Sequence, residues 1–357
     1  KMTTRILFLT KYSRLSASSR LRAFQYQSKI DKTKYSASVQ SLFSDKYLLM
    51  RFKSSNISNI HRIIYSFTRR MFFLLKVCRY DVLIIHLELF PHFPPIFEYL
   101  LSKTNKKIYY DYDDAIFHVY DKSNNSLARF LLSNKIKSLM RVADGVICCN
   151  EYIRKYAIES GAKRTLLLPT VINLDNYISI PRKYKGGNNF TIGWIGSPST
   201  TKYLDRVIDS IARLSEFYSI TLHLVGSDIN KHIAIKNVKV VRDNWSEFNE
   251  QKALREFDIG IMPLYNNDWD RGKCAFKLIQ YMGSFLPVVA SDVGMNRGLV
   301  GKSGIVVKNS SEWFDAIKIL FDDECMRTKM GKIGRKTIQD EYTIERALPK
   351  LINFIDP

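Results

Sequence analysis

Short apolar runs alternate with longer amphipathic runs along the 357-residue chain, and this alternation constrains the fold more than any other feature. The apolar runs are rich in Ile, Val, Leu and Tyr and carry few charges, which is typical of strands buried on both faces of a parallel sheet. They predict strands over residues 5–9, 35–41, 81–86, 107–112, 145–149 and 164–168, and again over 190–195, 220–225, 238–241, 259–263, 287–290 and 304–307. The intervening runs predict helices over 20–28, 54–77, 94–102, 127–141, 151–160, 202–217, 246–257, 274–283, 311–321, 323–340 and 343–355. Two successive series therefore predict an α/β fold of two doubly wound, Rossmann-like domains facing a cleft.

The domain boundaries follow from where the alternation stops and restarts. Residues 172–189 have weak periodicity and contain Pro181 and the pair Gly186-Gly187, so they read as a linker. This predicts an N-terminal domain over 1–171 and a C-terminal domain over 190–342. The last amphipathic run, 343–357, has no strand to return to, so we expect it to pack back on the first domain.

The composition argues against several other classes of protein. No run approaches the roughly 20 consecutive apolar residues that a membrane-spanning helix needs. The first apolar run is too short for the core of a secretory signal. Five cysteines without Cys-x-x-Cys spacing make a disulfide framework or a structural zinc site unexpected, and they favour a reducing cytosol.

The net charge of +21 is concentrated in the N-terminal half. Residues 1–175 carry 29 Lys and Arg against 13 Asp and Glu, a net +16, whereas residues 176–357 carry +5. Such an excess favours contact with nucleic acid, an anionic membrane or a phosphorylated substrate. Residues 54–79 place apolar positions three and four apart among basic side chains, and they predict a basic amphipathic helix for an anionic membrane surface. A core helix with a solvated cationic side is the alternative.

One loop suited to phosphate follows the first strand of the second half. It is rich in Gly, Ser and Thr and leads into a helix whose free backbone amides suit an anion. Gly196, Ser197 and Lys202 are its candidate diphosphate ligands. An ordinary strand–helix turn capped by Ser and Thr is the alternative.

A second candidate phosphate loop precedes the helix at 274–283. Arg271, Gly272 and Lys273 stand just before it, and cations at a helix N-terminus are unfavourable unless an anion is bound there. Lys277 and Gln280 lie three apart, so they share one face of the helix.

An acidic cluster follows the strand at 107–112. Asp111, Asp113 and Asp114 come at the carboxyl end of that strand, with His118 just beyond, and His86 ends the preceding strand. We expect these side chains to face the crevice where α/β domains bind ligands. Helix capping by the aspartates and a hydrogen-bonded core histidine are the alternatives, and no third ligand for a metal is evident.

Five segments in order resemble the retaining GT-B glycosyltransferases of family 4. Residues 277–289, Lys-Leu-Ile-Gln-Tyr-Met-Gly-Ser-Phe-Leu-Pro-Val-Val, resemble the donor-binding signature of that family. The others are 18–22 (Ser-Ser-Arg-Leu-Arg), 111–117, 143–147 and 192–196. The family pattern has two glutamates separated by seven residues, and here Gly272 and Gln280 stand in their places.

The resemblance implies how the site residues divide between the domains. The C-terminal domain would bind a nucleotide-diphosphate sugar, with Gln280 and Lys277 at the ribose and Asp243, in the segment 241–245, near the base. The N-terminal domain would bind the acceptor through Ser19, Arg20 and His86. Catalytic roles would fall to Asp113, Asp114 and His118.

The implied reaction is a retaining sugar transfer by front-face attack, without a cofactor or a catalytic metal. The implied acceptor is a polyprenyl-diphosphate-linked glycan at the cytoplasmic side of the cell membrane, as in O-antigen, capsule or lipopolysaccharide synthesis. The partners would then be a nucleotide sugar, that acceptor and an anionic membrane surface, with no nucleic acid. Two alternatives stay open: a GT-B-fold nucleotide-sugar epimerase, which needs acid and base carboxylates, and a basic nucleic-acid-binding protein, although no RNA- or zinc-finger pattern is present.

Overall fold

The structure, a computed structural model, describes residues 3–53, 60–178, 180 and 189–356. It divides into two compact units. Unit 1 comprises Lys1–Thr170, Arg271–Cys274 and Ile344–Pro357, and unit 2 comprises Val171–Asp270 and Ala275–Thr343. Most of the linker expected at 172–189 and the start of the helix expected at 54–77 lie outside the described residues.

Unit 1 is built on a six-stranded parallel sheet of order β2-β1-β3-β4-β5-β6. Its strands are β1 Thr4–Tyr12, β2 Tyr35–Phe43, β3 Val82–His86, β4 Lys107–Tyr112, β5 Gly145–Cys148 and β6 Thr165–Leu167. Its helical segments are Ala17–Ser19, a π-helical turn Arg20–Phe24, Gln25–Lys29, Asp45–Lys53, Ile60–Leu74, Val77–Arg79, Ile96–Ser102, His118–Asp121, Ser126–Leu132, Lys135–Val142, Glu151–Glu159 and Ile344–Ile355. All six strands expected in this half are confirmed.

Unit 2 repeats the architecture with the strand order β12-β11-β10-β7-β8-β9, again all parallel. Its strands are β7 Asn189–Ile195, β8 Ser219–Val225, β9 Val238–Asp243, β10 Ile259–Met262, β11 Val288–Ser291 and β12 Gly304–Val307. Its helical segments are Leu174–Asn176, Pro198–Arg206, Ile208–Leu214, Glu247–Glu256, Phe276–Gly283, Asn296–Val300, Glu312–Asp322 and Glu324–Glu341; Asp268–Arg271 straddles the boundary between the units. The expected doubly wound architecture is therefore confirmed in both halves.

The strand sequences explain why the two faces of the unit 2 sheet are both covered. Neighbouring residues of one strand point to opposite faces. Ile261 belongs to the apolar cluster around Trp194 and Trp313, whereas Met262 belongs to the cluster around Leu278. Each strand thus supplies two cores, which is why its sequence is apolar without alternation.

The C-terminal helix Ile344–Ile355 belongs to unit 1. The Phe354 ring lies 5.5 Å from the Tyr109 ring, and the Arg164 guanidinium lies 4.8 Å from the Phe354 centroid. At Gly145 an added Cβ would come within 2.6 Å of the Phe354 ring, so glycine is needed there for this close packing. These contacts complete the β4–β5 side of unit 1.

The helix Ile60–Leu74 differs from the expected basic amphipathic helix in which side it buries. Its buried residues are Ser66 and Arg70, while Ile64 and Phe72 are 59% and 67% exposed. Arg70 is fully buried and donates to the carbonyls of Thr10 and Gln40, at 2.7 and 3.1 Å. Arg70 is therefore not one of the exposed basic side chains of this helix, because strand carbonyls at the end of the sheet bind its guanidinium.

Two of the longer expected helices are each interrupted. The run 127–141 breaks at Ser133 and Asn134 into two helices, the first of which is capped by the Asn125 side chain accepting from Ala128 N–H. The run 202–217 divides into a 3₁₀ segment, Pro198–Arg206, which begins at the proline, and the helix Ile208–Leu214. Proline at a first helical position has its φ already set, and it moves the helix start four residues earlier than expected.

Candidate active site

Three side chains meet at the carboxyl edge of the unit 1 sheet. Ser18 follows β1, His86 ends β3 and Asp113 follows β4, and these strands are neighbours in the order β1-β3-β4. His86 Nε2 lies 2.9 Å from Ser18 Oγ and 3.0 Å from Asp113 Oδ1, and the Ser18 hydroxyl donates to Asp113 Oδ2. We call Ser18, His86 and Asp113 the strand-edge cluster.

His86 and Asp113 of the strand-edge cluster are buried, and the neighbouring groups lower the pKa of Asp113. The side chains of His86 and Asp113 are 4% and 6% exposed. Burial would raise the pKa of Asp113, but His86, Arg22 and the Ser18 hydroxyl outweigh it and lower that pKa to about 2. Asp113 is therefore ionised at neutral pH. In a hydrolase triad the carboxylate holds Nδ1 and the serine faces Nε2, whereas here both partners share Nε2, so the arrangement is not a serine nucleophile.

Asp114 is the accessible neighbour of this cluster. Its side chain is 38% exposed and lies 3.6 Å from the Lys273 ammonium. Reduced solvation and the charge of Asp113 raise its pKa, against the effect of Lys273. A carboxylate of this kind can accept a hydrogen bond from a substrate hydroxyl or take up its proton.

The segment Arg271–Cys274 is held in unit 1 by its own backbone. Asn150 Nδ2 donates to the Lys273 carbonyl at 3.1 Å. At Gly272 an added Cβ would come within 2.3 Å of Ala115 Cβ and 2.9 Å of its backbone nitrogen. No larger side chain fits there without a shift, which gives a physical reason for glycine where the family pattern has its first glutamate.

Three expected acceptor or catalytic residues are engaged elsewhere in unit 1. Ser19 is fully buried, and the Arg20 guanidinium contacts the carbonyls of Arg14 and Leu15 at 3.4 and 3.5 Å. His118 Nδ1 lies 2.9 Å from Asp121, and its Nε2 lies 2.8 Å from the Tyr152 hydroxyl. Both ring nitrogens of His118 thus have partners that hold the start of its helix, and a catalytic role for it stays a prediction.

The glycine-rich loop of unit 2 is capped by its own side chains. Ser197 N–H donates to Thr200 Oγ1 at 3.0 Å, and an added Cβ at Gly196 would come within 2.1 Å of the Trp194 ring. Indole packing thus gives a structural reason for glycine at this position, and the role of Gly196 in binding a ligand stays a prediction. Lys202 is exposed and lies over the Tyr203 ring at 5.6 Å.

The helix Phe276–Gly283 carries the other expected donor residues. Gln280 is 2% exposed, and its Nε2 donates to Glu250 Oε1 at 2.6 Å. Trp245 Nε1 donates to the other oxygen of Glu250 at 2.8 Å. Lys277 Nζ lies 5.0 Å from the Trp194 ring. Gln280 thus orients a carboxylate, and the acidic group of this region is Glu250, on the helix Glu247–Glu256.

Asp243 is tied to its own sheet. It ends β9, and its carboxylate lies 2.8 Å from His223 Nε2 on β8. In the segment expected at the base, Asn244 is exposed and Trp245 is half-buried. The Asp243 carboxylate therefore already has a partner in His223, and its contact with the base stays a prediction.

Sequence reasoning missed Ser18 and Glu250. Ser18 is the first residue of the quoted run at 18–22, and no local signal separates it from Ser19. Glu250 lies in the expected helix 246–257, where no sequence signal sets it apart, and only its pairing with Gln280 marks it. Arg22, of the same run as Ser18, is fully buried and donates from Nε to both oxygens of Asp111, at 3.1 and 2.9 Å. That pair is structural.

Among the described residues, no group of three or more His, Cys, Asp or Glu is arranged to hold a metal ion. No helix in the described part of the chain is long and apolar enough to cross a membrane.

Residues 189–323 match the family described as Glycosyl transferases group 1. The matched region comprises β7 to β12 and the helices between them, including the glycine-rich loop and the helix of Gln280. The prediction that this protein is a glycosyltransferase is thereby confirmed. None of the curated proteins matches the sequence.

Solved structures of similar fold extend over both halves of this glycosyltransferase. Sucrose-phosphate synthase from Thermosynechococcus elongatus superposes with a TM-score of 0.73 at 13% identity, covering 98% of each chain. A glycosyltransferase from Rickettsia africae gives 0.69 at 14% identity, covering 99% of this chain and 98% of the other. Anabaena HepE in complex with UDP gives 0.68 at 13% identity, covering 98% and 99%. Identities this low show the fold alone, and that fold is the expected two-domain GT-B architecture.

Proposed function

We propose that the protein transfers a sugar, with retention of anomeric configuration, from a nucleotide diphosphate to a hydroxyl of a polyprenyl-diphosphate-linked glycan. The observation that carries the proposal is the group 1 domain in residues 189–323, joined to a unit that presents Asp114 beside a buried, ionised strand-edge cluster. The product would enter a bacterial surface polysaccharide such as O-antigen, capsule or lipopolysaccharide. The reaction would belong to the family 4 type.

The donor would be a nucleotide-diphosphate sugar. HepE has been solved with UDP-glucose, in a structure 14% identical to this chain with a TM-score of 0.67, and this supports the same class of donor here. Exposed Lys202 and Arg271 are assigned to neutralise the departing diphosphate. The carboxylate of Glu250, oriented by Gln280, is assigned to the ribose hydroxyls. In this proposal, side chains of the protein neutralise the charge of the departing diphosphate, and no resident metal or cofactor is included.

The acceptor hydroxyl would bind to Asp114. The strand-edge cluster positions Asp114, because Asp113 is fixed by Ser18 and His86 directly before it in the chain. The leaving phosphate would take the hydroxyl proton in a front-face attack, as the resemblance to family 4 implies. Catalysis would then rest on positioning and on stabilisation of the departing charge.

A panel of nucleotide sugars in a thermal-unfolding assay tests the donor assignment. A ligand at a hundredfold excess over its Kd stabilises by about 2.7 kcal/mol, which is readily detected as a rise in melting temperature. Arg271→Ala and Lys202→Ala should each weaken binding of the best nucleotide by tenfold or more, because a charge-assisted contact is lost. Lys155→Ala, on an exposed helix of unit 1, is the matched control. No stabilisation by any nucleotide sugar would refute the proposed function.

Asp114→Asn tests the acceptor assignment. Transfer should fall at least a hundredfold, the usual range for a lost acid–base or hydroxyl-binding group, while donor binding stays as in the wild type. Glu159→Gln, an exposed carboxylate of the same unit, should leave both unchanged. Normal transfer by Asp114→Asn would remove that residue from the site.

We propose that unit 1 docks on the anionic cytoplasmic face of the cell membrane. The net +16 of residues 1–175 would attract the surface, and the outward apolar side chains of Ile60–Leu74 would enter it. Ile64→Glu with Phe72→Glu should abolish sedimentation with anionic vesicles. Leu127→Glu, another exposed apolar position, is the control for a general loss of apolar surface. Equal binding to neutral and anionic vesicles would contradict the electrostatic part.

A further inference from the structure

A second group of basic side chains lies at the carboxyl end of the unit 1 sheet and takes no part in the strand-edge cluster. Lys11 is near the end of β1, and Arg51 is on the helix that follows β2. His92 lies in the connection after β3. The carboxyl ends of parallel strands are where α/β domains bind ligands.

Tyr12 holds two of these cations together. The Arg51 guanidinium donates from Nη1 to the Tyr12 hydroxyl at 2.8 Å. The Lys11 ammonium lies 5.7 Å from the centroid of the same ring. Two positive side chains therefore converge on one tyrosine at the end of β1.

Tyr120 holds His92 beside a third cation. The His92 ring lies 5.8 Å from the Tyr120 ring, and Lys135 Nζ lies 5.2 Å from its centroid. Glu88 accepts from the Tyr120 hydroxyl at 2.5 Å and from Lys135 Nζ at 2.6 Å. Its carboxylate is thereby already matched by the buried Lys135.

The positive charges of Lys11 and Arg51 are not balanced in the way that Glu88 balances Lys135. Within the described residues, neither side chain has a carboxylate within ion-pair distance. Burial, followed by the charges of Arg51 and Lys135, lowers the pKa of Lys11 against the opposing effect of Glu88. Partial burial and the charges of Lys11, Lys135 and Arg51 likewise lower the pKa of His92. The two positive charges of Lys11 and Arg51 on one tyrosine are unfavourable alone, and a bound anion would relieve them.

We propose that Lys11, Arg51 and His92 bind the diphosphate group of a lipid-linked acceptor. This rests on the proposed function, because it names the part of the acceptor that unit 1 holds. Phe93, adjacent to His92, is 38% exposed and packs on Phe97 at 6.1 Å, so an apolar surface borders the cations. A diphosphate attached to a hydrocarbon chain matches that combination of charge and apolar contact.

Titration of farnesyl diphosphate, inorganic pyrophosphate and farnesol into the full chain tests this site. Lys11→Gln and Arg51→Gln should each weaken farnesyl diphosphate binding by tenfold or more, and the double variant further, because charge-assisted contacts are lost. Lys155→Gln is the matched control. Lys11→Arg keeps the charge and should retain most of the affinity.

The arms of the experiment separate the possible sources of the phosphate. Tighter binding of farnesyl diphosphate than of pyrophosphate supports a lipid-linked ligand, and equal binding supports a site that reads phosphate alone. Unchanged affinity in the double variant, or equal binding of farnesol, overturns the proposal. Stabilisation of the wild type and of the same variants by nucleotide sugars is measured in parallel. A wild type that binds no nucleotide sugar would refute the proposed function, whereas the farnesyl diphosphate titration decides this site.

Discussion

The buried charge of Asp113 should make a measurable contribution to the stability of unit 1. Its pKa is lowered from the ordinary value of 3.8 to about 2, a difference that corresponds to about 2 kcal/mol of preference for the ionised form in the folded state. Because the folded pKa is below the unfolded one, this stabilisation is present above about pH 4 and is lost as the pH falls towards 2. Asp113→Asn removes it.

We therefore expect Asp113→Asn to lower the free energy of unfolding by about 2 kcal/mol at pH 7, with a gap to the wild type that narrows below pH 4. Urea unfolding between pH 7 and pH 3 measures both quantities. The four tryptophans, Trp194, Trp245, Trp269 and Trp313, all lie in unit 2, so their fluorescence reports that unit, whereas circular dichroism reports both. The loss should appear in the dichroism transition.

Glu159→Gln is the matched control, since its carboxylate is exposed and lies 3.9 Å from Lys155. It should change stability by less than about 0.5 kcal/mol at any of these pH values, as surface substitutions do. A gap for Asp113→Asn that stays constant from pH 7 to pH 3 would show that the loss is steric rather than electrostatic. An unchanged stability would refute the reasoning altogether.

Three other substitutions test the packing. Gly272→Ala should destabilise by about 1–3 kcal/mol, because its Cβ meets Ala115, whereas Gly298→Ala, with nothing within 4 Å, should be neutral or stabilising; differential scanning calorimetry compares the two. Arg22→Met should cost at least about 3 kcal/mol in urea unfolding, since it leaves the Asp111 carboxylate buried and unpaired. Gln280→Ala should cost about 1–3 kcal/mol and weaken nucleotide binding, which calorimetry would detect, because Glu250 loses a donor. A stability equal to that of the wild type in any of these three variants would contradict the importance of the corresponding contact.

The strands could be predicted because each one is apolar on both faces over a short run. Val82–His86 and Val288–Ser291 illustrate this, since every residue of both strands is buried. The outward face of Ile60–Leu74 could not be predicted in the same way. Periodicity shows that a helix has an apolar side, but the buried side was decided by strand carbonyls that hold Arg70, from residues thirty and sixty positions away.

The residues of the candidate site also differ in whether local sequence or a long-range contact reveals them. His86, Asp113 and Asp114 were accessible to sequence reasoning because they follow buried strands, where side chains collect at one sheet edge. Gly272 was noticed as a departure from a family pattern, but the reason for it, the close approach to Ala115, depends on a contact between residues far apart in the sequence. Glu250 was missed for the same reason: its partner Gln280 lies thirty residues away.

The interleaved course of the chain has a consequence for biosynthesis. Unit 1 includes Arg271–Cys274 and Ile344–Pro357, so its sheet is present long before its last packing partner, Phe354, has been made. During translation, the Tyr109 and Gly145 side of the sheet would stay open to solvent while all of unit 2 is synthesised and folds. A nascent chain held in this state is a natural substrate for chaperones, and fragments ending near residue 170 should be prone to aggregation at that uncovered face.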